Sequence, residues 1–423
     1  MRGSLGRSST FADSRPTDPR VTIGVLVGVV LLFIAGLVVL ASNAPDDARY
    51  WRVFVIGWLL AAAASIPAVA LLVYLDRRDP EPWWAGSLAY FWGALVATGL
   101  GLVIRIAALG SITEAFDQTA GLFDTTALGV QIADPSVVLA WLDTALLAPI
   151  VEEVIKALAL LFLVAFLPSL INGVRDGVVY GALVGLGFAV AETAMYIGSW
   201  YLNAGFAPFM GQLVPRFVFG GVNGHAIYSA LFGAGLGLAI EVEKGCWVRK
   251  TLLVVGGALL AVSAHGMSNG FGPTALVMLT SIFSMDPGLL SIGEVWWLSA
   301  AKVAMTTGWA YLILAYLLVR SGNTELEVIK TELREETEPT VLVGELPLIE
   351  AEGMWRMRRV PGWSRRLSAR LVRQQNRVAF RRGHLRHDGR SVDGDGALER
   401  LRREVILIRG QGADQEPGSD HGA

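Results

Sequence analysis

The chain has 423 residues, 53% of them hydrophobic and 17% charged, against roughly 25% charged in an average soluble protein. That balance excludes an ordinary soluble globule. The formal net charge of −2 is a cancellation between segments: residues 21–319 carry 30 charged side chains, 12 basic and 18 acidic, while the 103 residues of 321–423 carry 35.

In chain order, an Arg-containing segment (1–20) precedes 21 uncharged residues (21–41), and apolar runs recur near 53–75, 84–109, 136–167, 177–199, 215–241, 251–270 and 295–319. Each is long enough to cross a hydrocarbon core of ~30 Å as a helix rising ~1.5 Å per residue. The first run is too long for a secretory h-region and seven more follow, so it reads as a retained span. The expected fold is all-α: a polytopic bundle of about eight transmembrane helices (21–320) in the cell membrane, with an N-terminal segment 1–20 and a charged tail 321–423. If the N-terminus is inside, Arg2, Arg7, Arg15, Arg20, Arg77, Arg78, Arg175, Lys244, Arg249 and Lys250 fall on the inner side before the tail. The outer loops hold only Arg49 and Arg52, and the loop 110–135 has Glu114, Asp117, Asp124 and Asp134 without a base. This is the positive-inside asymmetry, and it places both termini in the cytoplasm. Cys246 is the single cysteine, so neither an internal disulfide nor a thiolate metal site can form.

An ionised side chain at bilayer depth costs several kcal/mol, so those that persist there mark function by default. They are Arg105, Asp143, Glu152, Glu153, Lys156, Glu192, Arg216, His225, His265 and Lys302. Arg105 and Lys302 lie near expected outer ends and can snorkel; Asp143 reaches an interface if the run 136–167 breaks near Pro149. Glu152 and Glu153 point about 100° apart on a helix, and Lys156, three and four residues on, can partner either. One Glu and the Lys make a structural ion pair, and the second carboxylate is then left for protonation, metal or catalysis. By helix rise Glu192 lies ~22 Å from the inner end of its span, His225 ~15 Å from the outer end of the next and His265 ~21 Å from the inner end of the one after. Four consecutive spans thus offer Glu, Glu, His and His at similar depth. Gly181/Gly185, Gly233/Gly237, Gly220-Gly221 and Gly256-Gly257 provide small surfaces that allow close helix approach.

Two chemistries are open to such a set. Glu192, His225 and His265 make a ligand group for Zn²⁺, which lowers the pKa of a bound water, with a further Glu as general base. Alternatively, and without metal, Glu and His activate water while His265 and Asn269, one turn apart, donate to the oxyanion. Both lead to amide hydrolysis within the membrane.

Glu152-Glu153-x-x-Lys156, Asp176-Gly-x-x-Tyr-Gly-x-x-x-Gly-x-Gly-Phe-x-x-x-Glu192, His225 followed by Gly233-x-x-x-Gly237, and His265-x-x-x-Asn269 occur in this order on successive spans. The ordered set, over roughly 50–320, resembles the PrsW family of intramembrane proteases, related to the CAAX-processing and bacteriocin-immunity glutamate proteases. The resemblance implies a polytopic protease, usually classed as a metalloprotease, acting on a membrane protein such as an anti-sigma-factor-like regulator. It also implies Glu152 and Glu153 as the catalytic pair, with His225 and His265 as catalytic or metal-binding partners. Thr193 follows Glu192 where relatives often have Asn.

The tail is acidic over 325–352, with nine Asp/Glu and two Lys/Arg, then basic over 356–409, with sixteen Lys/Arg and five Asp/Glu. Arg interspersed with Trp, Leu, Val and Phe over 355–382 reads as a disordered or membrane-apposed segment against anionic lipid. Nucleic-acid binding shares that electrostatic signature, but no nucleic-acid motif accompanies it. The functional rivals to the protease are an ion- or proton-coupled transporter, since buried Glu, His and Lys also build relays, and a catalytically inactive scaffold of the same fold.

Overall fold

The computed structural model describes residues 19–120, 135–168, 170–243, 245–387 and 389–413. Arg2, Arg7, Arg15, Asp124, Asp134, Lys244 and the end of the tail, 414–423, lie outside the described residues. Among those described the architecture is all-helical. The helices are α1 (Pro19–Ser42), α2 (Ala48–Ala64), α3 (Ile66–Leu75), α4 (Trp83–Phe91), α5 (Thr98–Ala120), α6 (Pro135–Leu142), α7 (Ala148–Phe166), α8 (Val174–Ala204), α9 (Ala207–Arg216), α10 (His225–Glu241), α11 (Trp247–Gly270), α12 (Gly272–Ile282), α13 (Ile292–Arg334), α14 (Leu346–Glu350), α15 (Arg365–His387) and α16 (Gly396–Ala413). Among the described residues five helical stretches are long and apolar enough to cross a membrane: Ala48–Leu75, Trp83–Glu114, Val174–Ala204, Trp247–Gly270 and Ile292–Arg334. Leu31, Val38, Leu59, Val73, Leu252, Leu259 and Leu312 are exposed along these and neighbouring helices, the outward apolar face that lipid requires.

α8 is the axis of the bundle. In its most apolar window 83% of residues are buried, against 28% in each of the other four stretches. The sequence reason is glycine at four-residue spacing. Gly177, Gly181 and Gly185 on α8 face the carbonyls of Gly233, Ser229 and His225 on antiparallel α10, and a Cβ on Gly185 would stand 2.0 Å from the His225 oxygen. Gly187, on another side of α8, meets the Tyr90 carbonyl just as closely. Only a bare Cα permits such contact. Gly220 and Gly221 do something different from the packing expected of them: at φ +62° and +87° they shape a loop. Together with Pro215 inside α9 and Gly224 at φ +57°, they break the expected continuous span 215–241. His225 is therefore the first residue of α10.

Two π-helical turns, Trp92–Ala97 and Asp143–Leu147, interrupt the long segments around them. Pro149 has no N–H to give the Ala145 carbonyl, and Ala148 N–H reaches back five residues to Asp143. Gly266 of α11 lies against the freed Ala145 carbonyl, where a Cβ would be 2.5 Å away. Arg105 does not snorkel: it forms a two-pronged pair with Asp143, Nε–Oδ1 2.9 Å and Nη2–Oδ2 2.6 Å.

The tail departs from the expectation of a largely disordered segment. α13 runs on to Arg334, and α15 and α16 close a core of Leu367, Leu371, Val378, Leu385, Leu398, Val405 and Ile408. A second core joins Ile329 and Leu333 of α13 to Val341, Ile349 and Ala379. The acidic and basic blocks, which in isolation read as disorder, pair with each other. Arg382 holds Glu332 at 3.1 Å and Glu336 at 2.5 Å, Arg402 holds Glu336 at 2.6 Å, and Arg409 holds Glu345 at 2.5 Å. The module sits at one end of the bundle, where Arg175 pairs with Glu325 and the buried Arg78 reaches the Gly353 and Met354 carbonyls.

Candidate active site

The buried polar residues of the bundle converge on one point between α7, α8, α10 and α11. α7 supplies Glu152, Glu153 and Lys156, which are 5%, 4% and 1% exposed. The π turn before Pro149 sets the rotation that turns both carboxylates inward. The close approach at Gly185 fixes the first turn of α10, and with it His225; α11 carries His265.

Glu153 is saturated. Its Oε1 accepts from Lys156 Nζ at 2.6 Å and His265 Nδ1 at 3.0 Å, and its Oε2 from Ser229 Oγ at 3.2 Å. Of the two carboxylates open to Lys156, the structure therefore pairs it with Glu153. Lys156 Nζ also donates to His225 Nδ1 at 3.0 Å and lies 4.1 Å over the Phe188 ring. An ammonium has no lone pair, so His225 carries its proton on Nε2 and donates it to Glu192 Oε2 at 2.9 Å. The same Glu192 oxygen also accepts from Arg216 of α9.

Glu152 differs from Glu153 in kind. Its Oε2 is buried with no hydrogen-bond partner and faces His265 Nε2 at 3.8 Å. Because His265 gives its Nδ1 proton to Glu153, Nε2 bears a lone pair, and two acceptors face each other across the gap. Such an arrangement needs a donor or a cation between them. Glu152, His225 and His265 can each place one ligand atom within 4.8 Å of the others, so Glu152 occupies the place expected of Glu192. The set fits a divalent cation through Glu152 Oε2 and His265 Nε2 as they stand. His225 joins only by releasing Lys156 or Glu192.

His265 cannot donate to an oxyanion in this arrangement, since its one proton is committed to Glu153. Asn269, one turn further along α11, is half-buried and holds no hydrogen bond among the described residues. Ser229 and Tyr228 escaped the sequence reading, and Phe188 stood in the quoted motif without a role. Tyr228 stacks on His265 with centroids 4.9 Å apart and planes at 17°, and Phe188 meets His225 edge-on at 4.7 Å. Ser229 and Tyr228 stand four and three residues after His225, the spacing that would have found them.

Residues 81–291, just under half of the chain, match the family model of the PrsW family intramembrane metalloproteases. Over this region the chain is similar to the PrsW family. The PrsW match contains all of the converging side chains. A curated relative, "Protease PrsW" of Shouchella clausii (strain KSM-K16), is 31% identical over 121 residues, 29% of this chain and 50% of the relative. The chain thus spans about half the length of the PrsW relative it matches. No solved structure matches it.

Proposed function

We propose that this is a multi-pass intramembrane protease in which Glu152 is the general base. The carrying observation is the buried, unpartnered Glu152 Oε2 opposite His265 Nε2. Water in that gap donates one hydrogen to each acceptor. As its oxygen attacks the scissile carbonyl carbon, Glu152 takes the proton and the carbonyl π pair moves onto oxygen, where the Asn269 amide donates. Glu152 then returns the proton to the leaving nitrogen as the C–N bond breaks. Glu153 holds the His265 tautomer, and Lys156 compensates its charge. His225, Glu192 and Arg216 brace the far side.

A second reading is favoured by the three-ligand group Glu152, His225 and His265. When bound there, Zn²⁺ supplies Lewis acidity and a water of lowered pKa. Glu153 would then act on His265 from behind, the usual support of a metal-bound imidazole.

The chain is proposed to cross the bilayer eight times, with α1, α2–α3, α4–α5, α6–α7, α8, α10, α11 and α13 as spans. Arg77, Arg78 and Arg175 gather at the tail end, so that end is the cytoplasmic one and both termini lie there. Val174 N–H donates to Glu241 Oε1 at this end, and His225 stands sixteen residues back along α10, about 24 Å away. Cleavage therefore falls in the outer half of the bilayer, on a membrane-protein substrate such as an anti-sigma-factor-like regulator. In a reconstituted cleavage assay Glu152→Gln should abolish hydrolysis; activity above a tenth of wild type would overturn the assignment. Chelation followed by Zn²⁺ add-back separates the two readings: loss and recovery supports metal, indifference the Glu–His route.

A further inference from the structure

The tail module meets the bundle beside a hollow of about 440 Å³ lined by Tyr74, Trp355, Arg356, Arg359, Arg365 and Arg373, among others, and by no carboxylate. Between the helices of the module Arg382, Arg386, Arg402 and Arg409 are spent on carboxylates. Here Arg356, Arg359, Arg365 and Arg373 are exposed and make no ion pair or hydrogen bond with the described residues. Four uncompensated guanidinium groups around one hollow repel one another and leave a strongly positive field.

The helix that borders the hollow makes this worse. α15 opens on Arg365 and Arg366 and has no acidic residue in its first turn, against the preference for negative charge at a helix N-terminus. A local conflict of this sort, around a hollow without a carboxylate in its lining, marks a place built for something else. An anion at this spot would satisfy both the arginines and the helix end.

The position in the membrane selects the anion. Tyr74 lies in the last turn of the stretch Ala48–Leu75, its hydroxyl donates to the Trp355 carbonyl at 3.0 Å, and Arg77 donates to the Met354 carbonyl at 2.7 Å. Trp355 is 60% exposed, and Trp83, which opens the next apolar stretch on the same side, is 83% exposed. Exposed Trp and Tyr at span ends sit at headgroup level. We infer that this hollow is a binding site for the phosphate group of an anionic phospholipid, held by Arg356, Arg359, Arg365 and Arg373 with Trp355 in the interface. The site locks the tail module against the leaflet at the end of α3. The inference goes beyond the general expectation of a basic tail near lipid and does not rest on the protease assignment.

The test uses the full chain in neutral detergent, offered equimolar phosphatidylglycerol and phosphatidylcholine, with retained lipid counted by native mass spectrometry. Phosphatidylglycerol should be retained at least ten-fold over phosphatidylcholine. Arg356→Gln, Arg359→Gln and Arg373→Gln should each weaken retention roughly five-fold, about 1 kcal/mol per basic residue at a membrane surface. Arg400→Gln and Arg403→Gln, exposed on α16 and outside the hollow, should leave retention unchanged. Equal retention of the two lipids, or equal losses from hollow and α16 variants, would overturn the site. Inorganic phosphate at millimolar concentration or a short oligonucleotide displacing the lipid and binding more tightly would overturn the lipid as its source. Because lipid counting needs no catalysis, an inactive enzyme with selective retention leaves the inference standing.

Discussion

The bundle and the tail module use charge in opposite ways. In the tail core, Arg382 meets three carboxylates and Glu336 two guanidinium groups, so the charges between the helices are answered and the result is adhesion between α13, α15 and α16. In the bundle charges are few, and they are arranged so that Glu153 is saturated while Glu152, one residue away, keeps an unanswered oxygen. Buried charge that is fully paired is structural. Buried charge left partly open at one point is reserved for a ligand or a reaction.

The largest expected effect tests that contrast directly. Glu152→Gln should lower the cleavage rate by about 10²–10⁴-fold, with helical content and melting temperature within error of wild type. Glu153→Gln should lower both rate and melting temperature, because it strands Lys156 and His265. Equal behaviour of the two variants in both readouts would erase the distinction. Next comes Gly185→Ala, whose Cβ would collide with the His225 carbonyl. Overpacking of this kind costs about 1–3 kcal/mol, so a lower melting temperature in detergent and a displaced His225 should appear together. A normal melt would show that α8 and α10 can part freely.

In the tail, Glu336→Ala leaves Arg402 without a buried partner and Arg382 with Glu332 as its remaining buried one, a loss of about 3 kcal/mol. Hydrogen exchange over α15 and α16 should rise while exchange over α7 and α10 stays unchanged; a change in both would mean one cooperative unit. The smallest effect concerns Asp76 at the junction, in the loop after α3. Burial pushes its carboxyl up to about 7, opposed by a hydrogen bond from the Glu81 N–H. With the folded value above the unfolded one, its contribution is fully present below about pH 4 and is lost as pH rises through 7. Protection of the 76–81 loop should therefore fall between pH 5 and pH 8, and Asp76→Asn should flatten that dependence.

Much of the site was legible because the membrane made it sparse. Glu152, Glu153, Lys156, Glu192, His225 and His265 stood out as ionisable residues at depth, and the structure gathers all six. Hidden were the partners that carry no such signal. Ser229 and Tyr228 are ordinary residues in an apolar span, and the Gly177/Gly181/Gly185 contact between α8 and α10 brings them to the carboxylates. The folded tail was hidden for the opposite reason: composition records that acidic and basic blocks exist, while their pairing depends on α13 and α15 lying side by side.

By itself the sequence determined a helical membrane protein and a short roster of buried ionisable groups, because hydrocarbon penalises charge and unpaired backbone independently of any neighbour. Tertiary structure alone decided which carboxylate is held and which is free, that α10 begins at His225, and that the tail folds. Those outcomes depend on contacts between helices, on hydrogen-bond saturation and glycine approach, and neither composition nor spacing along one chain can express them.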